Sequence, residues 1–450
     1  MHLILLSGGS GQRLWPMSND VRSKQFLRVM PSPDGTPESM IQRVVRQIGD
    51  ANLASSIVVA TSKAQLDFIE RQLPGKVTIV AEPERRNTFP AIALAAAYLA
   101  DEANVDLSEP VIVMPCDTFT EPHYFEVIRR MGQAIEENRA DLVLMGIRPT
   151  GPETKFGYIV PAGEPDADGI IAVDSFKEKP DEATAANLIA RGALWNGGVF
   201  GFRLSYLIDT LRAQLPDASY RAILEGYANL PKISFDYEVV EKADSIAAVP
   251  FEGLWKDLGT WDSLVGHLQA DTLGRAIRQG DTSDTYIINE TSTPIICAGA
   301  RGVIIAVTPD GILVADKQSS AGIKAAVEQL SGRPMYEERR WGWYRVIGTS
   351  EHPDGHRTLT KHIHLDPGCS ISYQTHDHRD ETWTFIDGEG HLVVDDVLTK
   401  VTAGCVAQIH RGQKHTIRAV TPLEFIEVQT GNPLVESDIH RLSFDWDSIQ

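Results

Sequence analysis

Leu3-Ile4-Leu5-Leu6-Ser7-Gly8-Gly9-Ser10-Gly11-Gln12-Arg13-Leu14 stands at the head of the chain, and its reading decides the fold. A short, uninterrupted apolar run ending on glycines is the pattern of a strand buried on both faces, as in a parallel sheet. The glycines after it let backbone N–H groups approach a phosphate chain closely, and Arg13 and Lys24 can neutralise one. From Met1 to Arg28 the bases are Arg13, Arg22, Lys24 and Arg28 against the single acid Asp20, a local charge of 4 − 1 = +3. Two familiar phosphate motifs fail here. A dinucleotide fingerprint needs a glycine where Leu14 stands, and a P-loop needs Gly-Lys-Ser/Thr. A tight turn without a ligand is the plainer reading of a bare glycine cluster; Arg13 and Lys24 beside it favour phosphate.

The same pattern continues outward. Ile57-Val58-Val59-Ala60, Val77-Thr78-Ile79-Val80, Val111-Ile112-Val113-Met114 and Leu142-Val143-Leu144-Met145 read as further buried strands. Ser39 to Ile48 and Ala91 to Leu99 carry helical patterning, and Pro90 suits a first helical turn. Alternating strands and helices imply an α/β domain with a mostly parallel sheet covered on both faces. Beyond Trp261 the segments turn short and strand-like, a helical pattern spans Gly322 to Leu330, and Ser331-Gly332-Arg333-Pro334 reads as a linker. From Trp341 onward the chain reads as almost wholly β, of a size for a small barrel or sandwich. The expected division is 1–265, an α/β domain; 266–335, a β-rich linker region; and 336–450, the β module.

Composition bounds the partners. The chain has 450 residues, 42% of them hydrophobic, with Lys+Arg 42 and Asp+Glu 61, a formal charge of −19. That surplus excludes a general nucleic-acid or anionic-membrane binder, which needs basic surface, but not a small phosphorylated substrate. Cys116, Cys297, Cys369 and Cys405 form no CxxC pair and are expected to be reduced thiols. The opening Met1-His2-Leu3-Ile4-Leu5-Leu6 lacks the basic lead and length of a secretory signal. The apolar stretch from Ala91 to Ala100 is far below the ~20 residues that span a bilayer. A cytoplasmic protein is expected.

Leu5 to Ser18, with Lys24-Gln25-Phe26-Leu27, resembles the opening block of bacterial mannose-1-phosphate guanylyltransferases of the type that also carries a mannose-6-phosphate isomerase module. Further blocks follow in the same order. They are Glu82-Pro83 to Arg86-Asn87-Thr88, Met114-Pro115-Cys116-Asp117-Thr118, Phe176-Lys177-Glu178-Lys179-Pro180, Trp195-Asn196-Gly197-Gly198-Val199-Phe200 and Trp255-Lys256-Asp257-Leu258-Gly259-Thr260-Trp261-Asp262. The resemblance implies a Rossmann-like, GT-A-like nucleotidyltransferase domain with a mixed sheet. It also implies a reaction joining a nucleoside triphosphate to a sugar 1-phosphate, GTP and mannose 1-phosphate above all. Arg13 and Lys24 would neutralise the α-phosphate, and Asp117 and Asp257 would hold Mg²⁺ through oxygen. Gly8, Gly9, Gly11, Arg86 and Asn87 would meet the nucleotide, with a helix N-cap as the equal reading of Asn87. Gly157, Glu178, Lys179 and Asn196 would meet the sugar phosphate. Ser7 and Gln12 stand where the family usually has Ala and Thr, and Pro115-Cys116-Asp117-Thr118 replaces Pro-Ala-Asp-His. These departures leave the base open.

In the β module, Gln374-Thr375-His376-Asp377-His378-Arg379-Asp380-Glu381-Thr382-Trp383 and the later His415 resemble the isomerase cupin fused behind such transferases. Residues two apart on a strand share a face, so His376 and His378 would join Glu381 and His415 around Zn²⁺ or another divalent ion. Thr382 replaces a family histidine, and His362-Ile363-His364 offers a rival HxH. Three functions therefore compete. One is a sugar-1-phosphate nucleotidyltransferase. The second is a bifunctional enzyme that also interconverts mannose 6-phosphate and fructose 6-phosphate. The third is a non-catalytic sugar-nucleotide sensor. The expected partners are a nucleoside triphosphate and a sugar 1-phosphate, without nucleic acid or membrane, and with homo-oligomerisation open.

Overall fold

The computed structural model describes residues 1–9, 12–268, 270–330 and 332–449, and Gly11 lies outside them. The chain forms two compact units. The first holds Met1–Leu14, Ser23–Asp271 and Ser320–Gly322, and the second Trp15–Arg22, Thr272–Ser319 and Ile323–Gln450.

The apolar runs of the first unit become nine strands of one sheet. They are β1 (His2–Ser7), β2 (Ser56–Ser62), β3 (Thr78–Glu82), β4 (Pro110–Pro115), β5 (Leu142–Ile147), β6 (Tyr158–Pro161), β7 (Ile171–Lys177), β8 (Leu194–Arg203) and β9 (Ile246–Phe251). Their order is β3-β2-β1-β4-β8-β5-β9-β7-β6. β1, β2, β3 and β4 pair in parallel, as do β5 and β9. The expectation of a mostly parallel sheet meets two reversals: β8 runs antiparallel to both β4 and β5, and β7 antiparallel to both β9 and β6. The hydrophobic pattern reports burial, which is the same for either strand direction.

Helix α1 (Met40–Asp50) starts at a Ser39 capping box, and α2 (Thr88–Asp101) at Asn87. The Ala-rich α2 is buried over nearly its whole length, so small side chains let it lie close on the sheet against Ile4, Val58 and Val113. A separate two-stranded ladder, Thr118–Thr120 with Trp255–Asp257, pairs Asp257 with Thr118. That ladder carries Asp257 next to Asp117, 140 residues away in sequence by number.

In the second unit, short strands from Thr272 to Asp316 pair largely in parallel. They precede a six-stranded and a five-stranded antiparallel sheet. Leu359, Ile363, Trp383, Phe385, Ile417 and Phe425 fill the space between these two sheets, the arrangement of a cupin-type barrel. Arg22, one of the four bases near the N-terminus, belongs to this unit. It donates both guanidinium ends to Glu290 at 2.8 and 2.9 Å, so it serves structure and not phosphate.

Candidate active site

β1 ends at Ser7, and Gly8 and Gly9 follow; among the described residues beyond their chain neighbours, no atom lies within 4 Å of where a Cβ would stand on either. A buried polar network supports this turn. Ser23 Oγ donates to the Gly9 carbonyl at 2.9 Å, and Gln65 Nε2 donates to Ser23 Oγ at 2.6 Å. Gln65 Oε1 in turn accepts from Thr61 Oγ1 at 2.9 Å and Ser7 Oγ at 3.4 Å, and Ser7 Oγ accepts from Gln25 Nε2 at 3.1 Å. Ser7, a departure from the family pattern, is therefore a member of a satisfied network. Gln25 and Gln65 are fully buried, and sequence reading gave them no role.

Lys24, in the short helix Lys24–Phe26, is the centre of the charged site. Its Nζ lies 3.0 Å from Asp117 Oδ2 and also pairs with Asp257 Oδ1. Burial works against the ammonium, but Asp117 and then Asp257 more than offset this, so Lys24 titrates above its ordinary value. Two partly exposed carboxylates thus converge on one cationic point. Oxygen donors converging in this way fit a hard divalent cation. Arg13 is exposed beside the glycine turn.

The other nucleotide candidates are placed differently. Arg86 Nη1 donates to the Leu230 carbonyl at 2.6 Å and its Nε pairs with Glu84 at 2.5 Å, so its guanidinium is engaged within the fold. Asn87, at φ +73, caps α2 by accepting the Thr88 N–H at 2.9 Å, the cap reading of that residue.

At the sugar end, Gly157, Glu178, Lys179 and Asn196 come together. A Cβ on Gly157 would lie 2.5 Å from Glu178 Oε2 and 2.6 Å from Phe176 Cζ, so only glycine fits against that carboxylate. Lys179 Nζ pairs with Glu178 Oε1 at 2.5 Å, and the Asn196 N–H donates to the Gly157 carbonyl at 2.8 Å. Phe156 packs on Trp195 and Trp255, with centroids 5.2 and 5.3 Å apart, as an apolar wall. Asp236, absent from the sequence reading, joins this group through Asn196. Its only sequence signal, an acid just after Ser234 at a helix start, is that of an ordinary helix first turn.

In the barrel, His376, Glu381 and His415 gather, all buried. His376 Nε2 is 3.2 Å and His415 Nε2 3.7 Å from the Glu381 carboxylate. Each Nδ1 faces a backbone carbonyl, of Asp438 at 3.1 Å and Gln413 at 3.0 Å, which leaves both Nε2 lone pairs turned inward. His415 Nε2 is buried without a hydrogen-bond partner among the described residues. Two imidazoles and a carboxylate are a donor set suited to a divalent transition metal. Arg379 competes for it, with Nη2 3.2 Å from His376 Nε2 and Nε donating to Glu381 at 2.8 Å. Burial would raise the Glu381 carboxyl, but His376, His415 and Arg379 hold it far below the usual range.

His378 does not join the cluster and corrects the strand expectation. The segment His376 to His378 is a turn between the strands Tyr373–Thr375 and Arg379–Asp387, where side chains do not alternate. His378 is exposed, and its N–H donates to Asp438 Oδ2 at 3.3 Å. The rival His362 and His364 turn outward onto Glu424, while Lys361 in the same strand points inward and pairs with Glu436 at 2.9 Å.

A mixed sheet that delivers a glycine turn and a lysine-bridged carboxylate pair to one rim defines a phosphate-handling α/β enzyme. Residues 2–272 match the family model described as "Nucleotidyl transferase", and residues 331–444 that described as "Mannose-6-phosphate isomerase C-terminal". The chain belongs to the nucleotidyl transferase family, among the bacterial mannose-1-phosphate guanylyltransferases that carry an isomerase-type C-terminal domain. It is 34% identical over 473 residues to the xanthan biosynthesis protein XanB of Xanthomonas campestris pv. campestris strain B100, covering 97% of each chain. It is 30% identical over 484 residues to the mannose-1-phosphate guanylyltransferase of Escherichia coli K12, covering 98% of each. A solved structure from Thermus thermophilus, described as a mannose-1-phosphate geranyltransferase, superposes with a TM-score of 0.60 at 29% identity, over 74% of this chain and 99% of that one. Nucleotidyltransferases of this family generally use a divalent metal. No helix among the described residues is long and apolar enough to cross a membrane.

Proposed function

We propose that the protein transfers the guanylyl group of GTP to mannose 1-phosphate in the cytoplasm, releasing pyrophosphate, with Mg²⁺ as the cation. The convergence of Asp117 and Asp257 on Lys24, beside an open glycine turn, carries this reading. The sugar phosphate oxygen is already anionic. It attacks the α-phosphorus, the bond from that phosphorus to the bridging oxygen breaks, and the electron pair leaves on pyrophosphate, so no general base is required. The catalytic load is positioning and charge neutralisation. Gly8 and Gly9 admit the triphosphate chain closely, and Arg13 draws its charge. Asp117 and Asp257 would hold Mg²⁺, which supplies Lewis-acid stabilisation at the α-phosphate when bound. Lys24 then turns from the two carboxylates to the phosphate. Lys179 faces the sugar phosphate, and Glu178 takes ring hydroxyls. Pyrophosphate release from a panel of nucleoside triphosphates and sugar 1-phosphates tests this. The expected result is Mg²⁺-dependent release, highest for GTP with mannose 1-phosphate and abolished by Asp117→Asn. An unaffected variant sinks the metal assignment, and no release with any pair leaves the sensor reading.

A second reading, that the barrel also interconverts mannose 6-phosphate and fructose 6-phosphate, is favoured by one observation, the His415 Nε2 without a hydrogen-bond partner among the described residues, beside His376 and Glu381. Metal analysis with a coupled isomerase assay decides it. A metal-free barrel without isomerase activity defeats it.

A further inference from the structure

Guanylyl transfer leaves one carboxylate of the sugar end without a role. Asp236 Oδ1 accepts from Asn196 Nδ2 at 2.6 Å. Asn196 Oδ1 in turn accepts the Gly198 N–H at 3.1 Å. Both ends of that amide are thus engaged, and what they achieve is to fix Asp236. Glu178 is complementary. Its Oε1 is held by Lys179, while Oε2 is buried with no hydrogen-bond partner among the described residues, on a side chain only 5% exposed. A buried acceptor left unmatched is costly, and in a cleft it marks a place where a ligand donor completes the set. Glu178 and Asp236 are close enough for the charge of one to act on the other.

Two carboxylates, each steadied by one protein donor, require further donors and repel further acceptors. The hydroxyls of a hexose ring are such donors. We propose that Asp236 is a specificity-determining residue of the sugar site, accepting a ring hydroxyl alongside Glu178, with Asn196 as its positioning residue. This rests on the sugar 1-phosphate reading above. Burial, and then the Glu178 charge, push the Asp236 carboxyl up to about 6, as two acids awaiting donors in one cleft require. Lys179 is the cation that faces them, and it works in the opposite direction.

The test compares wild type, Asp236→Asn and Asp236→Ala with mannose 1-phosphate and its 2-, 3- and 4-deoxy analogues, at saturating GTP. Wild type is expected to penalise at least one deoxy analogue in kcat/KM by on the order of 10- to 100-fold, the worth of a hydrogen bond to a charged group. Asp236→Asn keeps the shape and the Asn196 contact. It should erase the penalty for that one analogue, with KM for GTP unchanged and the melting temperature no lower than that of wild type. Full discrimination retained in both variants overturns the assignment. So does a loss shared equally by every analogue and by GTP, which marks a structural role. Wild type inactive with every sugar 1-phosphate defeats the functional reading and this inference together. Active wild type with unaltered variants defeats the inference alone.

Discussion

Gly157→Ala is the sharpest probe of the sugar end, because the structure gives its consequence in ångströms. The new Cβ would stand 2.5 Å from Glu178 Oε2, whereas an ordinary C···O approach is about 3.3 Å or more. The Glu178 carboxylate must therefore retreat by roughly 0.8 Å. It has little room, since Phe176 crowds the same Cβ and Lys179 grips the other oxygen. Overpacking of this kind costs about 1–3 kcal/mol, or roughly 2–4 °C of melting temperature per kcal/mol in a domain of this size. A shift near 1 Å in a positioning group costs on the order of 100-fold in rate. Initial rates of pyrophosphate release, with mannose 1-phosphate varied at saturating GTP, should show kcat/KM for the sugar falling by about that factor, while KM for GTP holds. Adding Glu178→Asp withdraws the carboxylate by one methylene, and should restore part of the loss. Wild-type kcat/KM for the sugar phosphate in Gly157→Ala would refute the reasoning. So would a double variant no better than the single one.

Three other perturbations read other parts of the molecule. Lys24→Met removes the ammonium between Asp117 and Asp257, so Mg²⁺ without substrates should raise its melting temperature by several degrees more than that of wild type; equal shifts in thermal denaturation argue against a shared cation position. Gln65→Leu strips a hub from Ser7, Ser23 and Thr61, and urea unfolding should record a loss of about 2–4 kcal/mol with a raised KM for GTP. An unaffected KM would separate that network from the glycine turn. The Asp236 carboxyl is raised from 3.8 to about 6 on folding, so its ionised form opposes folding, with the penalty growing from about pH 4 to pH 6 and constant above. Asp236→Asn should therefore gain stability over wild type by up to about 3 kcal/mol at pH 8, and by little at pH 4; a pH-independent difference in chemical denaturation excludes that shift.

Much of this was legible in the residues, and the parts that were not have separate physical causes. Leu3 to Leu6 and Val111 to Met114 announce themselves because both faces of each strand are buried. Lys24, Asp117 and Asp257 come from three separate blocks, and the structure brings their charges to one point. Strand direction has no local signature, so the reversal of β8 was invisible. His376 and His378 looked equivalent by spacing, yet a turn at that point separates a buried ligand candidate from an exposed residue. Arg86 and Arg22 carry the charge that phosphate needs, but Glu84, the Leu230 carbonyl and Glu290 claim them. Asp236 is hydrogen-bonded to the sugar end through Asn196, 40 residues away. Each miss turns on strand direction, on a local turn, or on a partner remote in sequence such as Glu290, Leu230 or Asn196.

The reversal of β8 also has a bearing on time. β4 and β5 never touch through their backbones, since β8 lies between them. The four strands on one side of it are complete once residue 115 has been made, yet their edge at β4 stays open until Leu194–Arg203 arrives. During synthesis the nascent domain must carry an unpaired, wholly apolar strand edge for some eighty residues of further growth. Such an edge invites pairing with another chain. β8 is thus a keystone set late, and its insertion is the step at which the ribosome-bound half-sheet ceases to be a hazard.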